Sequence, residues 1–280
     1  MFYKTILVHV DGSRHTRLRI QLAAQIAASY DAHLVGIALT GLPEIFYDPI
    51  VNPMDPAIEP LLQVPRQRAA AALAEFEKIA RQFHAGSIES RLEENESAVG
   101  ISLQGRYADL VVVGQYDPDD TESSTRPEAI ETVILECGVP VLLVPYAGAV
   151  PTFSQRPLVA WNASKEAVRA VHYALPLLQR AAQVDVAVFD PATLPASYRA
   201  VPDKDILAWL GRHGITGKVT RSVTGGDIGI GDALLSLAAD LGSDLLVMGC
   251  YGHTRLREVL LGGVSRQILQ SMTLPVLTAH

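Results

Sequence analysis

Two stretches of this 280-residue chain are nearly alike: YADLVVVG at 107–114 and GSDLLVMG at 242–249. Each holds an apolar run that ends on a glycine, which is typical of a strand buried on both faces of a parallel sheet. In both copies a proline follows that glycine after 26 positions and opens another apolar run, PVLLV or PVLTA. The chain is therefore predicted to contain one folding unit twice.

The beginnings of the two copies also correspond, as ILVHVDGS at 6–13 and PLVAWNAS at 157–164. Between the copies lies YAGAVPTFSQ, a segment with the glycine, proline and serine typical of a linker. We therefore expect one domain at residues 1–147 and a second at residues 154–280.

Short β-branched runs alternate with helical patterns in both copies, which predicts two tandem doubly wound α/β domains with helices on both faces of a parallel sheet. Strands are predicted near 4–10, 33–39, 87–93, 109–113, 140–144, 157–161, 183–189, 217–223, 244–248 and 275–278. Helices are predicted near 14–29, 65–84, 97–106, 127–137, 165–180, 203–213, 230–241 and 263–271. The proline-rich segment 40–60 is predicted to be a loop peculiar to the first copy.

Composition limits the classes of function. Apolar residues make up 49% of the chain and charged residues 19%, which favours a globular fold. The net charge of -7 argues against a nucleic-acid partner. The first residues read as a strand rather than a signal peptide, and no stretch reads as a membrane span. We expect a cytoplasmic protein with two reduced cysteines, Cys137 and Cys250, and no metal site among its scattered histidines.

Residues 248–269, MGCYGHTRLREVLLGGVSRQIL, place four glycines between a strand and a helix. Free N–H groups at a helix start attract anions, and glycine lets a phosphate come close. Arg255 and Arg257 add positive charge to this segment. The segment matches neither the P-loop nor the dinucleotide-binding fingerprint. The residues alone therefore allow two interpretations of this segment, an anion-binding site or an ordinary turn.

The pattern G-x2-G-x9-G, followed by a small residue and Val-Ser, resembles the ATP-binding signature of the universal stress protein family. The chain as a whole resembles a tandem of two such domains. The resemblance implies Rossmann-like, five-stranded domains of the adenine nucleotide alpha hydrolase-like type, with nucleotide between the ends of the first and fourth strands. It implies that the second copy binds ATP, or alternatively ADP or AMP, with or without Mg²⁺. The nine binding residues that it implies are Asn162, Val188, Met248, Gly249, Gly252, Gly262, Gly263, Val264 and Ser265.

Two of these positions depart from the family pattern. Asn162 stands where the family has an acid facing ribose and adenine, and its amide oxygen keeps an acceptor without charge. Gly263 stands where Ser or Thr is common, which loses a hydroxyl but keeps the N–H. The resemblance also places the backbone of Val188 against adenine.

The first copy has lost the pattern. Asp117 matches Gly252, residues 127–130 match 262–265, and the stretch DPDDTESSTRPE holds five acids and one arginine. Carboxylates repel phosphate, so this copy is predicted not to bind it. We expect a solvated loop here, with a divalent-cation site among Asp117, Asp119 and Asp120 as the alternative.

Four further residues allow a functional and a structural interpretation. His253 either faces a phosphate or is solvated, and Cys250 is expected to be an inert rather than an acidified thiol. Trp161 is expected in the core rather than stacked on adenine. Asp11 keeps the family's acid and is expected to cap the first helix.

No catalytic dyad, Walker B acid or water-orienting glutamine is evident, so we expect a binding module rather than an enzyme. Three hypotheses remain: an ATP-binding stress-response regulator, a scaffold acting through protein contacts, and a weak ATP hydrolase. In family dimers the last strands of two copies meet. We therefore expect an intramolecular pseudo-dimer of the two halves, with a homodimer of chains left open.

Overall fold

A computed structural model describes residues 3–41, 59–123, 125–148, 150–189, 203–224, 229–251 and 263–280. The chain divides into two units, Phe2–Tyr146 and Ala147–His280. All ten predicted strands are confirmed, with bounds that shift by at most one residue.

The first unit contains β1 (Thr5–His9), α1 (Thr16–Tyr30), β2 (His33–Leu39), α2 (Glu59–Gln82), β3 (Ser87–Glu93), α3 (Ser97–Gly105), β4 (Leu110–Gly114), α4 (Pro127–Glu136) and β5 (Val141–Val144). The second contains β6 (Pro157–Ala160), α5 (Lys165–Leu178), β7 (Val184–Phe189), α6 (Asp203–Arg212), β8 (Gly217–Ser222), α7 (Ile230–Leu241), β9 (Leu245–Gly249), α8 (Gly263–Ser271) and β10 (Val276–Ala279).

Both units use the same strand order. The first is β3-β2-β1-β4-β5 and the second is β8-β7-β6-β9-β10. Every pairing within these two series is parallel. The order reverses between the first and fourth strands of each unit, and parallel α/β sheets bind their ligands beyond the carboxyl ends of strands at such a reversal.

Burial explains which strands are apolar. All five residues of β4 and the first four of β9 are buried, as expected for central strands covered on both faces. The outer strands β3 and β8 are only half-buried, and their sequences SIESRLE and GKVTRS are correspondingly polar. Polar side chains on an outer strand oppose pairing with another chain.

Helix α2 corrects one prediction. It begins at Glu59 rather than near residue 65, and Pro65 lies inside it. Leu62, in the added turns, is buried. This packing offsets the backbone hydrogen bond that proline cannot donate. The rest of the predicted loop, residues 42–58, lies outside the described residues.

Among the described helices, none combines the length and hydropathy needed to cross a membrane.

Candidate functional site

The carboxyl ends of β6 and β9 open into a cleft of about 300 Å³ in the second unit. The two strands are neighbours in the sheet, with Val159 opposite Val247. The residues that continue them past the sheet edge therefore come together. The described lining residues are Ala160, Trp161, Asn162, Ser164, Glu166, Ala167, Ala187, Phe189, Ile230, Leu234, Met248, Gly249, Tyr251, Gly263, Val264 and Ser265.

Six of the nine predicted site residues line this cleft: Asn162, Met248, Gly249, Gly263, Val264 and Ser265. Val188 does not; it is buried between Ala187 and Phe189, which do line the cleft. Successive strand residues point to opposite sides, so its two neighbours share one side and Val188 takes the other. Gly252 and Gly262 lie outside the described residues, as do His253, Arg255 and Arg257.

The two described motif glycines have different surroundings. A β-carbon on Gly249 would collide with the amide nitrogen of Ala167 and with Glu166. Gly249 is therefore needed for the end of β9 to pack against the start of α5. A β-carbon on Gly263 would meet no atom of the described residues within 4 Å. Gly263 is the first residue of α8 and lines the cleft, so this helix start brings free N–H groups to the cleft wall.

Asn162 uses its amide oxygen within the chain. Its Oδ1 accepts a hydrogen bond from the Ser164 amide at 3.0 Å, and Ser164 Oγ accepts one from the Ala167 amide at 3.2 Å. The turn held by Asn162 and the N-cap formed by Ser164 together begin helix α5. The oxygen expected to contact a ligand therefore also holds the backbone turn.

Glu166 was missed by the sequence analysis. Its side chain is only 3% exposed and lines the cleft, and its Oε1 has no hydrogen-bond partner in the part of the chain that the structure describes. From sequence, an acid in the first turn of a helix indicates only a favourable interaction with the helix dipole.

Trp161 is half-buried at the wall of the cleft and not in the core as predicted. It directly follows β6, and its amide still donates to the Ala187 carbonyl oxygen at 2.8 Å, so Trp161 lies at the sheet edge where the cleft opens. The ring also borders a second, apolar cavity of about 220 Å³ between α5 and α6.

Cys250 is fully buried, and burial raises the pKa of its thiol to about 11. Hydrogen bonds with Thr278 and Ser265 act in the opposite direction but are outweighed. The structure therefore favours the inert thiol over an acidified one. Ser265, one of the predicted site residues, contacts the sulfur and links β9 to α8.

At the same place in the first unit, charged side chains of the chain itself fill the space between the ends of β1 and β4, and a cavity of about 220 Å³ remains beside Asp11. Arg19 and Asp11 form an ion pair at 2.8 Å, with side chains 3% and 5% exposed. Arg19 Nε also donates to the His9 carbonyl oxygen at 2.6 Å, and a β-carbon on Gly114 would collide with the guanidinium. Arg19 thus occupies the space between the ends of β1 and β4.

Burial opposes ionisation of Asp11, but Arg19, His9 and hydrogen bonds from Ser13 and Thr16 outweigh it and hold the pKa of the carboxyl below its usual range. The predicted capping of α1 by Asp11 is wrong. The helix begins at Thr16 with His15 as its N-cap residue, and Asp11 lies too far upstream.

Two acids of the 117–128 stretch are buried, which corrects the predicted solvated loop. Asp120 accepts a hydrogen bond from the Arg14 amide at 2.7 Å, and Asp117 accepts from the Arg14 guanidinium and pairs with His15, both at 3.0 Å. These carboxylates lie beside the start of α1. The chain thus supplies its own anions there, which the resemblance to phosphate sites could not predict.

The suggested cation site also changes. Asp117 and Asp120 come within 4.8 Å of each other and of His15, whereas Asp119 is not part of the group. Arg14 already contributes a positive charge to both carboxylates. Burial raises the pKa of Asp117, but the Asp119 amide, His15 and Arg14 together lower it below its ordinary value.

The fold and the two strand ends define a tandem α/β protein with a cleft of about 300 Å³ at one sheet reversal and, at the other, the Arg19–Asp11 pair beside a smaller cavity of about 220 Å³. Residues 154–280 match the model of the universal stress protein family. The C-terminal half of the chain is therefore similar to the universal stress protein family.

Curated relatives match over short segments. A universal stress protein of Synechocystis is 38% identical over 47 residues, which cover 17% of this chain and 16% of that protein. A universal stress protein of Methanocaldococcus jannaschii is 37% identical over 46 residues, 16% of this chain and 28% of that protein. The chain thus spans under a third of the length of these relatives in each alignment.

Solved structures match over nearly the whole chain. A universal stress protein from Archaeoglobus fulgidus aligns with a TM-score of 0.71 and 15% identity, covering 98% of this chain and 95% of that one. A putative universal stress protein from Pseudomonas aeruginosa aligns with a TM-score of 0.62 and 15% identity, covering 99% and 93%. At this identity the likeness supports the fold, and both halves share it.

Proposed function

We propose that this protein is a stress-response regulator that binds one adenine nucleotide, in the cleft of its C-terminal half. The observation that carries the proposal is the contrast between two equivalent places in one chain. The cleft at β6 and β9 brings together six residues of the resemblance, including the helix start at Gly263. The place at β1 and β4 is occupied by the Arg19–Asp11 pair.

The chemistry of the cleft suits a nucleotide. Trp161, Ala187 and Phe189 form a mainly apolar wall at the β7 side, which suits a flat base. Gly263 and Val264 begin α8 at another wall, where backbone N–H groups and the helix dipole favour phosphate. A Mg²⁺ ion would accompany the phosphates of ATP; ADP and AMP are the other nucleotides to compare.

Binding can be tested by calorimetry with ATP and Mg²⁺ on the wild-type chain and on Gly263→Glu, which copies Glu128 of the first half. No atom of the described residues lies within 4 Å of a β-carbon placed on Gly263, and an acid at a helix start is favourable to the helix. The variant should therefore fold normally. Its carboxylate should repel phosphate and weaken ATP binding by at least about 100-fold.

The matched control is Glu128→Gln, at the exposed first turn of α4. It should leave ATP affinity unchanged. Wild-type protein that shows no binding of ATP in calorimetry and copurifies with no nucleotide would contradict the proposal. That result would favour a scaffold acting through protein contacts. Binding that survives in Gly263→Glu would place the phosphates elsewhere.

We propose a binding rather than a catalytic role, acting in the cytoplasm. Steady release of ADP from ATP by the wild-type chain, abolished by a single side-chain change in the cleft, would contradict this role. The same sample provides the measurement, because chromatography separates ATP from ADP after incubation.

A further inference from the structure

Glu166 is a buried acid whose side chain belongs to the lining of the cleft. Its Oε1 is buried and accepts no hydrogen bond from the described residues. Within the described part of the chain, this Oε1 forms an ion pair only with Lys165, whose Nζ lies 3.4 Å away on a side chain that is 72% exposed. A buried carboxylate oxygen without a donor is costly, so this arrangement indicates a donor that belongs to a ligand.

The helix dipole alone does not account for this position. Glu166 lies in the first turn of α5, where an acid is favourable even when it is fully solvated. Stabilising the helix start does not require 3% exposure of the side chain at the wall of a cleft. The turn itself is already held by Asn162 and Ser164.

Glu166 lies at the sheet reversal, beside the end of β9. β6 and β9 lie between β7, which carries the apolar wall, and β10. Glu166 lies directly against Gly249 at the end of β9. A nucleotide with its base at Phe189 and its phosphates at Gly263 would have its sugar beside β6 and β9. The sugar is the part of a nucleotide whose hydroxyls donate hydrogen bonds.

We propose that the Glu166 carboxylate accepts a hydrogen bond from a ribose hydroxyl and so makes the cleft selective for ribonucleotides. This inference rests on the proposed nucleotide binding. In this proposal Glu166 provides a charged hydrogen-bond acceptor for the sugar. Asn162 cannot provide one, because it is uncharged and its Oδ1 already accepts the Ser164 amide. A charged acceptor gives a stronger hydrogen bond than an amide oxygen.

The first half offers an internal comparison. The position equivalent to Glu166 is His15, since each lies four residues after Asp11 or Asn162. His15 has its partner within the chain, Asp117 at 3.0 Å. The self-filled half therefore satisfies this position internally, whereas the open half leaves it for a ligand.

The test compares ATP with 2′-deoxy-ATP and 3′-deoxy-ATP by calorimetry, on wild type, Glu166→Gln and Glu166→Ala. Wild type should bind at least one deoxy analogue about tenfold or more weakly than ATP, as expected for loss of a hydrogen bond to a charged group. Glu166→Ala should bind ATP and that analogue equally. Glu166→Gln keeps the shape and a neutral acceptor, so its ratio should be intermediate.

Lys165→Ala is the matched control. It removes the neighbouring exposed cation but leaves the carboxylate in the cleft, so the preference for ATP should persist. Because each ratio is measured within one variant, a general loss of stability does not imitate the expected result.

Two results would overturn the proposal while leaving nucleotide binding intact. One is an unchanged ratio of ATP to both analogues in Glu166→Ala. The other is ADP release that Glu166→Gln abolishes at unchanged ATP affinity, which would make Glu166 a general base. Wild type that binds neither ATP nor its analogues would instead contradict the proposed function itself.

Discussion

His9 is buried at the end of β1, beside the ion pair that fills the first half. Burial lowers the pKa of its imidazole to about 4; Asp11 acts to raise it, and Arg19 lowers it further. The side chain is therefore neutral at neutral pH. The second half has small or uncharged residues at the three equivalent positions of this cluster: Ala160, Asn162 and Ala170.

This pKa predicts a pH dependence of stability. An unfolded histidine takes up its proton near pH 6.5, whereas folded His9 does so near pH 4. Between these values the unfolded state holds more protons, so the free energy of unfolding should fall as the pH falls from 6.5 to 4. The loss should be about 3 kcal/mol over that window and absent above it.

Urea unfolding of wild type and His9→Leu at several pH values measures this contribution. The difference between the two proteins should change between pH 6.5 and pH 4 and be constant above pH 7. A difference that is the same at all these pH values would show that His9 titrates alike in the folded and unfolded chain.

At the scale of elements, Arg19 connects α1 to two strands. It donates to the His9 carbonyl oxygen at the end of β1 and lies against Gly114 at the end of β4. It also holds Asp11 and Thr16, at 2.8 and 2.7 Å. One side chain therefore fixes the helix on the sheet and occupies the space in which the other half has a cleft.

Arg19→Met should lower the free energy of unfolding by about 3–5 kcal/mol, because Asp11 would be left buried without its countercharge. Arg17→Met is the control: Arg17 lies on the same helix and is 59% exposed, 3.6 Å from Glu75. Its effect should stay within about 0.5 kcal/mol. Equal effects of the two substitutions in urea unfolding would show that the buried pair does not stabilise the fold.

Some of these elements could be predicted from sequence and others could not. β4 and β9 were evident because a strand buried on both faces is apolar throughout. The start of α2 was not, since Pro65 indicates a helix end or start, whereas the burial of Leu62 depends on tertiary packing. The glycine pattern predicted Gly249 and Gly263 as site residues, and both line the cleft.

The remaining features of the two sites depend on contacts that no local pattern contains. The alternation of β7 determines that Ala187 and Phe189, not Val188, reach the cleft. Glu166 is distinguished by burial without a donor, and that is a property of the folded chain. Asp117 and Asp120 read as solvated acids because their partners, Arg14 and His15, lie about 100 positions earlier.

At the scale of the whole molecule, two units with the same strand order have different site chemistry. One has carboxylates and guanidinium groups paired internally; the other has a helix start and a buried glutamate in the lining of a cleft. Because a shared fold does not fix function, these side chains determine which half can take a ligand.

Photolabelling tests this asymmetry most directly. The chain would be irradiated with an azido-adenine analogue of ATP, digested, and its labelled peptides identified by mass spectrometry. We predict labelling in the second half, at peptides of β6 or β7 near Trp161 or Phe189, that excess ATP suppresses. ATP-suppressible label confined to peptides of the first half, around Asp11 or Thr40, would contradict the account.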